Sequence, residues 1–223
     1  MNHDNASKIN VAASLRSSKA LGPGSRAVLW LMGCNQRCRG CISPDWQLHE
    51  PAHWVDIETL AHELLIDNPT VRGITISGGE PMLQASATTT MLRHARQYRD
   101  IDVLVYSGYM LDQLLVSSMP GVQEFLDEID VLIDGPYRQD LAVKGQLFGS
   151  SNQRIHFLSD RIKPREVTDW EHRLELHVTD GQAMMVGIPD DHQIAAFDAA
   201  MNRVHFQHGC TVCACNETNQ ETI

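Results

Sequence analysis

The sequence predicts an α/β fold in which a parallel β-sheet is covered by helices. Three observations support this fold class. Apolar, strand-like runs alternate with amphipathic helical patterns from residue 26 onward. The glycine- and cysteine-containing segments come directly after predicted strands, where a parallel sheet places its ligands. Beyond Pro164 the pattern changes to a β-hairpin followed by a helix, which predicts a small C-terminal α+β extension.

The alternating elements can be assigned in chain order. The first strand covers 26–33 and leads directly into a loop with three cysteines. A helix follows, with Asp56 as its predicted N-cap and its end before Pro69. Its apolar stripe comprises Ile57, Leu60, Ala61, Leu64 and Leu65. The remaining strands are predicted at 71–79, 101–108, 129–135 and 153–158, and further helices at 82–99 and from residue 110.

The C-terminal part has a different pattern. Residues 172–178 alternate polar and apolar side chains, and the turn "TDG" leads into "QAMMVGI", which predicts a β-hairpin at a sheet edge. Pro189 opens a short helix that carries Ile194, Phe197 and Met201 on one face. The predicted organisation is an N-terminal segment (1–21), a core (22–162) and a C-terminal part with hairpin, helix and cysteine-containing tail (163–223).

Composition and charge disfavour several classes of function. The 223 residues include 28 acidic and 18 basic side chains, and the formal charge of −10 repels nucleic acids. No apolar run is as long as a membrane span, so we expect no membrane insertion. The polar start "MNHDNASKIN" lacks the apolar stretch of a secretory signal. We therefore expect a cytoplasmic protein, in which clustered thiols stay reduced and serve as metal ligands.

Three cysteines lie close together in the loop after the first strand. Cys34, Cys38 and Cys41 follow the spacing C-x3-C-x2-C, and Gly33 and Gly40 relieve the tight backbone path. Three thiolates can hold three corners of an iron–sulfur cluster and leave one metal coordination site vacant for a ligand. A zinc loop completed by a distant fourth ligand, and three unrelated buried thiols, are the alternatives.

A second segment bears on this choice. "SGGEP" (77–81) follows the second predicted strand, and its adjacent glycines let backbone groups approach a ligand closely. Together with the cysteine spacing, it resembles the radical S-adenosylmethionine superfamily, whose members carry a glycine–glycine–glutamate–proline segment at this strand. The resemblance implies a partial (β/α) barrel-like parallel sheet of the radical SAM type.

Four further segments narrow the resemblance. They are "GPGSRAVLWLMGC" before the cysteines, "VYSGY" (105–109), "DVLIDGPY" (130–137) and "GSSNQRI" (149–155). Their order and spacing resemble the activating proteins of anaerobic ribonucleotide reductase, a group of glycyl-radical activating enzymes. The likeness runs from Gly22 to Phe157. The chain from Lys163 onward has no counterpart in that group, whose members are generally shorter.

The resemblance implies a reaction and its cofactors. Cys34, Cys38 and Cys41 would hold a 4Fe–4S cluster, and S-adenosylmethionine would bind the remaining iron. Reductive cleavage of this cofactor gives a 5′-deoxyadenosyl radical, which abstracts a hydrogen atom from a backbone glycine of a large reductase. Flavodoxin or ferredoxin is the usual electron donor in such families.

The resemblance also implies roles for individual residues. The methionyl group would contact Gly78, Gly79, Glu80 and Pro81, and the adenosyl moiety would lie beside Gly40, Cys41 and Ile42. Ser107 and Asp134 would bind the cofactor's ribose or carboxylate, or a nearby cation, although Asp134 could equally be a turn residue. Asn152 and Arg154 would steady the cofactor or belong to a surface loop. A larger residue at Gly79 is expected to weaken cofactor binding and spare the cluster.

The tail contains three more thiols. Cys210, Cys213 and Cys215 lie near His205 and His208, which suggests a second site for zinc or an auxiliary cluster. A redox-active tail and incidental cysteines at a disordered end are the other interpretations.

Two other functions are compatible with the sequence. The protein could modify another peptide or a small molecule by the same radical chemistry. It could also be a non-catalytic, metal-binding redox sensor, although a sensor has no need of the "GGEP" segment.

Overall fold

The computed structural model describes residues 7–179 and 182–208, which form an α/β structure around a seven-stranded mixed sheet. The strands of this sheet are β1 (Lys8–Ser18), β2 (Arg26–Leu31), β3 (His53–Asp56), β4 (Gly73–Gly78), β5 (Asp102–Tyr106), β6 (Val131–Asp134) and β7 (Arg154–Phe157). They are ordered β3-β1-β2-β4-β5-β6-β7. A separate hairpin consists of β8 (Glu175–Thr179) and β9 (Gln182–Val186).

Six α-helices accompany the strands in the described residues. They are α1 (Ile57–Ala61), α2 (Ala85–Arg96), α3 (Leu111–Leu115), α4 (Val122–Glu128), α5 (Pro164–Thr168) and α6 (Asp191–His208). A π-helical turn at His62–Ile66 extends α1, and short 3-10 turns occur at Pro44–Gln47, Pro81–Gln84 and Gln139–Leu141. None of the described helices is both long and apolar enough to cross a membrane.

The central part of the predicted fold is confirmed. β2, β4, β5 and β6 are parallel neighbours, as the alternation of strands and helices predicted. Asp56 caps α1, because its carboxylate accepts hydrogen bonds from the N–H groups of Glu58 and Thr59. The hairpin is also present, but it forms a separate two-stranded sheet and does not lie at an edge of the seven-stranded sheet as predicted. The helix after Pro189 is longer than the predicted short helix, since α6 has 18 residues.

The outer strands correct the prediction of a parallel sheet. β1 and β3, which the sequence analysis did not assign, add two antiparallel strands at one side, and β7 is antiparallel to β6 at the other. Within the described residues, β3 pairs only with β1 and β7 only with β6. The sheet is therefore open, and no closure into a barrel is seen.

The two faces of the sheet are covered by different parts of the chain. Because side chains alternate along a strand, Ala27, Leu29 and Leu31 of β2 face the helices and join the main core with α1, α2 and α4. Val28 and Trp30 point to the opposite side, which we call the extension face. This face is covered largely by residues 143–190.

The C-terminal extension comprises residues 163–208 of the described chain, and its part from α5 to Ile188 packs on the extension face. Val186 and Met184 of β9 contact the cluster that contains Val28 and Trp30, while Trp170 packs in a second cluster against Leu104. The indole N–H of Trp170 donates to the Lys19 carbonyl at 3.2 Å. The extension is thus part of the packed structure of the described chain.

A pair of valines tests this role of the extension. Val186 is 1% exposed, so Val186→Ala removes buried methyl groups and should lower the free energy of unfolding by about 2 kcal/mol. Val178 on the same hairpin is 72% exposed, and Val178→Ala should change the free energy of unfolding by less than about 0.5 kcal/mol. Urea denaturation of both variants measures the difference, and equal effects would contradict the described packing.

At the amino ends of the parallel strands a buried ion pair joins β2 to β5. The Arg26 side chain is fully buried, and its guanidinium lies 2.5 Å from the Asp102 carboxylate. The same guanidinium donates to Thr75 Oγ1 at 2.8 Å and to the Ile74 carbonyl at 2.7 Å. Arg72 also pairs with Asp102 and reaches Glu166 of α5, so the network links the sheet to the extension.

Candidate functional site

The three cysteines predicted as ligands lie on one loop between β2 and the 3-10 turn Pro44–Gln47. Cys34, Cys38 and Cys41 are half-exposed and reduced. The loop is closed at its base, because the N–H of Gly33 donates to the Trp46 carbonyl at 2.8 Å and the N–H of Cys34 to the Gln47 carbonyl at 3.2 Å. The backbone therefore holds the two ends of the cysteine loop together at the carboxyl end of β2.

Neighbouring loops brace the cysteine loop from two directions. Asn35 Nδ2 donates to the Tyr109 hydroxyl in the loop after β5. On the other flank, a Cβ at Gly40 would lie 2.9 Å from the Gln139 side chain, so the loop after β6 packs closely against Gly40. These contacts fix the cysteine loop relative to the carboxyl ends of β5 and β6.

The chemistry of the thiols fits a cluster. Burial raises the pKa of Cys34 and of Cys38, and hydrogen bonds from backbone N–H groups, such as that of Gln36 to Cys34 Sγ at 3.4 Å, act in the opposite direction. Among the described residues, no three His, Cys, Asp or Glu side chains lie close enough to hold one common metal ion. Three half-exposed thiols spread along a loop suit a cluster, in which each thiolate binds a different iron.

The two glycines of "SGGEP", at the end of β4, contact the base of the cysteine loop. Gly78 has a φ of +105°, in the left-handed region that favours glycine. The N–H of Gly79 donates to the Leu31 carbonyl at 2.7 Å, and the N–H of Glu80 donates to the Gly33 carbonyl at 2.8 Å. A Cβ at Gly79 would lie 2.1 Å from that carbonyl oxygen. A larger residue at Gly79 would therefore displace the base of the cysteine loop, and on this ground we expect it to disturb the cluster as well as cofactor binding.

The carboxylate of Glu80 joins two strand ends inside the protein. Glu80 is 1% exposed. One oxygen accepts hydrogen bonds from the Met82 N–H at 3.0 Å and the Ser107 hydroxyl at 2.9 Å, and the other accepts from the Gly108 N–H at 2.8 Å. Glu80 and Ser107, both predicted as cofactor-binding residues, are therefore hydrogen-bonded to each other. This contact holds the loop after β5 beside the segment that follows β4.

Glu80 gives the protein a pH-dependent stability. Burial raises the pKa of Glu80 from 4.5 to about 7, although its three hydrogen-bond donors oppose this shift. The folded protein then binds the proton more tightly than the unfolded chain does. Glu80 therefore contributes stability that is greatest below pH 4.5 and that is lost, by about 3 kcal/mol, as the pH rises through 7.

Urea denaturation of metal-free protein between pH 5 and pH 8 tests this expectation. Glu80→Gln should remove this part of the pH dependence, at a constant cost of about 1 kcal/mol, because the amide nitrogen cannot accept a hydrogen bond. An unchanged pH dependence in Glu80→Gln would show that another group causes it.

Asp134 lies at the carboxyl end of β6, on the same face as Leu132, which packs in the main core under the helices. One carboxylate oxygen accepts a hydrogen bond from the Leu111 N–H at 2.7 Å and lies 3.0 Å from His156 Nε2. The other oxygen is buried and has no hydrogen-bond partner among the described residues. Asp134 therefore holds the start of α3, which is more than the role of a turn residue. His156 carries no sequence motif, and the sequence analysis did not single it out.

The other predicted cofactor residues have varied surroundings. Asn152 Nδ2 donates to the Pro136 carbonyl at 2.8 Å, while its side-chain oxygen is buried without a hydrogen-bond partner in the described part of the chain. Arg154 is exposed, Pro81 is buried, and Ile42 is 59% exposed. The predicted second metal site at Cys210, Cys213 and Cys215 lies outside the described residues.

Comparison with known proteins identifies the cysteine-containing region. The family model described as "4Fe-4S single cluster domain" matches residues 20–156. Two relatives named anaerobic ribonucleoside-triphosphate reductase-activating protein support the match. The Escherichia coli K12 protein is 32% identical over 145 residues, and that of Salmonella typhimurium 31% over 146, each covering 61% of this chain and 91% of the relative. The chain belongs to this activating-protein family.

The relationship extends beyond enterobacteria. The activating protein of Enterobacteria phage T4 is 26% identical over 157 residues, which are 68% of this chain and 91% of the phage protein. The family match ends at residue 156, before the C-terminal extension begins. The activating-protein core thus includes the cysteine loop, "SGGEP", Ser107, Asp134 and Asn152, and the extension is additional to it.

Proposed function

We propose that the protein is a radical SAM enzyme that activates a glycyl-radical enzyme such as an anaerobic ribonucleotide reductase. One observation carries the proposal. Three cysteines share a loop whose base is hydrogen-bonded to the "SGGEP" segment, in a region that matches the 4Fe-4S single cluster domain and in a chain that is similar to activating proteins. The open seven-stranded sheet is compatible with the partial barrel that the radical SAM resemblance implies.

In this proposal each residue has a limited task. Cys34, Cys38 and Cys41 hold the 4Fe–4S cluster and leave one iron for S-adenosylmethionine. When bound, these two groups supply the electron and the 5′-deoxyadenosyl radical that abstracts hydrogen. Gly78 and Gly79 offer backbone groups without side chains near the methionyl group. Glu80 keeps the loop after β5 in place.

The remaining cofactor contacts are proposed from the resemblance. Gly40, Ile42 and Pro81 would line the cofactor pocket, and Ser107, Asp134, Asn152 and Arg154 would border it. The unpartnered oxygens of Asp134 and Asn152 support a polar ligand near the carboxyl end of β6, because buried oxygens are rarely left without a donor.

The substrate of the proposed reaction is a backbone glycine of the reductase. The relatives are named for activating anaerobic ribonucleoside-triphosphate reductase. Modification of another peptide or of a small molecule is the second candidate function. The C-terminal extension supports this candidate, because it lies beyond the matched family region and could recognise a different substrate.

Anaerobic reconstitution with iron and sulfide, followed by dithionite-driven cleavage of S-adenosylmethionine, tests the reaction. We expect 5′-deoxyadenosine from the wild type and none from Cys38→Ala, which loses one iron ligand. Adding a candidate reductase should produce a glycyl radical in electron paramagnetic resonance spectra. Cleavage without this radical would favour the second candidate. A cluster that never cleaves the cofactor would refute the proposed function and support a redox sensor.

The proposal also includes an electron donor and a second metal site. The electron would come from a flavodoxin or a ferredoxin. A second metal at Cys210, Cys213 and Cys215 stays a prediction from the sequence. The zinc and iron contents of the Cys213→Ala variant and the wild-type protein test this prediction. A lower content in the variant would support a second site, and equal contents would argue against it.

A further inference from the structure

The cysteine loop has an unusual charge for this protein. The chain carries a formal charge of −10, yet the segment between Cys34 and Cys41 contains Arg37 and Arg39 and no acidic residue. Both arginines are exposed, and neither forms an ion pair with any residue that the structure describes. Two exposed positive charges therefore lie on the cysteine loop of a chain whose net charge is negative.

The backbone at Arg37 is also unusual. Its φ is +49°, and it is the only described non-glycine residue with a positive φ. Such a conformation costs about 1 kcal/mol for a residue with a Cβ, so it persists where the surrounding structure requires it. Here the turn lies between two cysteines and leaves the Arg37 side chain exposed.

A cleft lies next to Arg39. It has a volume of about 450 Å³ and is lined by Arg39, Tyr137, Arg138, Gln139 and Asp140. Gln139 of the lining packs against Gly40, where an added Cβ would lie 2.9 Å from its side chain, so the wall of the cleft contacts the cysteine loop. Arg138 is already paired with Asp140 at 2.6 Å, which leaves Arg39 as the unpaired charge in the lining described here.

The opposite flanks of the cysteine loop are occupied by the protein itself. The loop after β5 contacts it at Asn35 and Gln36, and the segment Gly78–Glu80 contacts its base. The side chains of Arg37 and Arg39 are exposed, so a partner protein can reach this surface of the loop, which adjoins Gln139 of the loop after β6 at Gly40. We call Arg37, Arg39 and the adjoining cleft the basic face.

We propose that the basic face is the docking surface for an acidic electron-transfer protein. The inference rests on the proposed function, because reductive cleavage consumes one electron for each S-adenosylmethionine. The partner would lose one electron, and the cluster that Cys34, Cys38 and Cys41 would hold would gain it, with no bond formed or broken in this transfer. An acidic partner is repelled by most of this chain and attracted to the basic face, so the charges orient the encounter.

Binding of reduced or oxidised flavodoxin to the full-length protein tests this proposal. Charge reversal in Arg37→Glu/Arg39→Glu should weaken the Kd at low salt at least about tenfold and make binding less sensitive to salt. The control Lys163→Glu/Arg165→Glu makes the same charge change at α5, near the opposite ends of the strands, and should stay within about threefold of wild type. Equal losses in both double variants would overturn the proposal.

Two further measurements distinguish this proposal from a non-electrostatic role of the arginines and from a substrate-binding role of the basic face. Arg37→Lys/Arg39→Lys keeps the charge and should bind flavodoxin nearly as well as wild type, and a loss like that of the reversal would refute an electrostatic role. If charge reversal instead weakened binding of the reductase and left flavodoxin binding unchanged, the basic face would be a substrate surface. Failure of wild-type protein to cleave the cofactor with dithionite would refute the proposed function, whereas the binding experiment addresses the basic face alone.

Discussion

Replacing Gly79 by alanine is expected to remove most of the iron and to slow S-adenosylmethionine cleavage by about 100-fold. The added Cβ would lie 2.1 Å from the Gly33 carbonyl oxygen and 2.9 Å from that of Trp46. Both are backbone atoms, so neither can rotate away. Relief of the clash requires a shift of the cysteine loop base relative to β4, which separates the proposed cluster ligands from the cofactor-binding segment.

Iron content after reconstitution and the rate of 5′-deoxyadenosine formation measure this effect. Gly145→Ala is the matched control, because Gly145 has a positive φ but no atom within 4 Å of an added Cβ. It should cost about 1 kcal/mol in stability and keep full iron content. If Gly79→Ala retained its iron and lost only affinity for S-adenosylmethionine, the described coupling between the two loops would be incorrect.

Asp102→Ala should lower the free energy of unfolding by about 4 kcal/mol, because it leaves the guanidinium of Arg26 buried without its counter-charge. Arg26 is 0% exposed, and burial lowers its pKa whereas Asp102 acts in the opposite direction. Arg72 would also lose its partner at the start of β5. Asp160→Ala, which removes a fully exposed carboxylate paired with Lys163, should change stability by less than about 0.5 kcal/mol.

A double variant separates the lost charge pair from other effects. Arg26→Met fills much of the arginine volume without a charge, so Arg26→Met/Asp102→Ala should be less destabilised than the sum of the two single variants by at least about 1 kcal/mol. Chemical denaturation of the four proteins gives this coupling energy. Additive single effects would mean that Arg26 does not depend on Asp102.

The sequence was most informative where one physical constraint governs a residue. The buried parallel strands were predictable because both of their faces are covered, and they therefore appear as continuous apolar runs such as "RAVLWL". The spacing of Cys34, Cys38 and Cys41 was equally informative, because few other structures need three thiols on one short loop. Gly78 and Gly79 were predicted to let backbone groups approach a ligand, which stays a prediction, and the structure shows Gly79 in close contact with the backbone of the cysteine loop.

Long-range contacts account for what the sequence did not reveal. β1 has polar and small residues among its apolar ones, and although β2 follows it after a short loop, its other pairing partner β3 lies far along the chain. β7 is a short run whose direction depends on the path of the preceding loop. The contact between His156 and Asp134 arises only because β7 pairs antiparallel with β6. No local pattern encodes such a pair.

The packing of the extension against β2 and β5 has a consequence for protein engineering. Trp30, Val28 and Leu104 need an apolar covering, and in this chain residues beyond the family match help to supply it. A version shortened to the length of the bacterial relatives would present these side chains to water and tend to self-associate. Chimaeras that exchange catalytic cores with those relatives must therefore carry residues 163–190 along with the core.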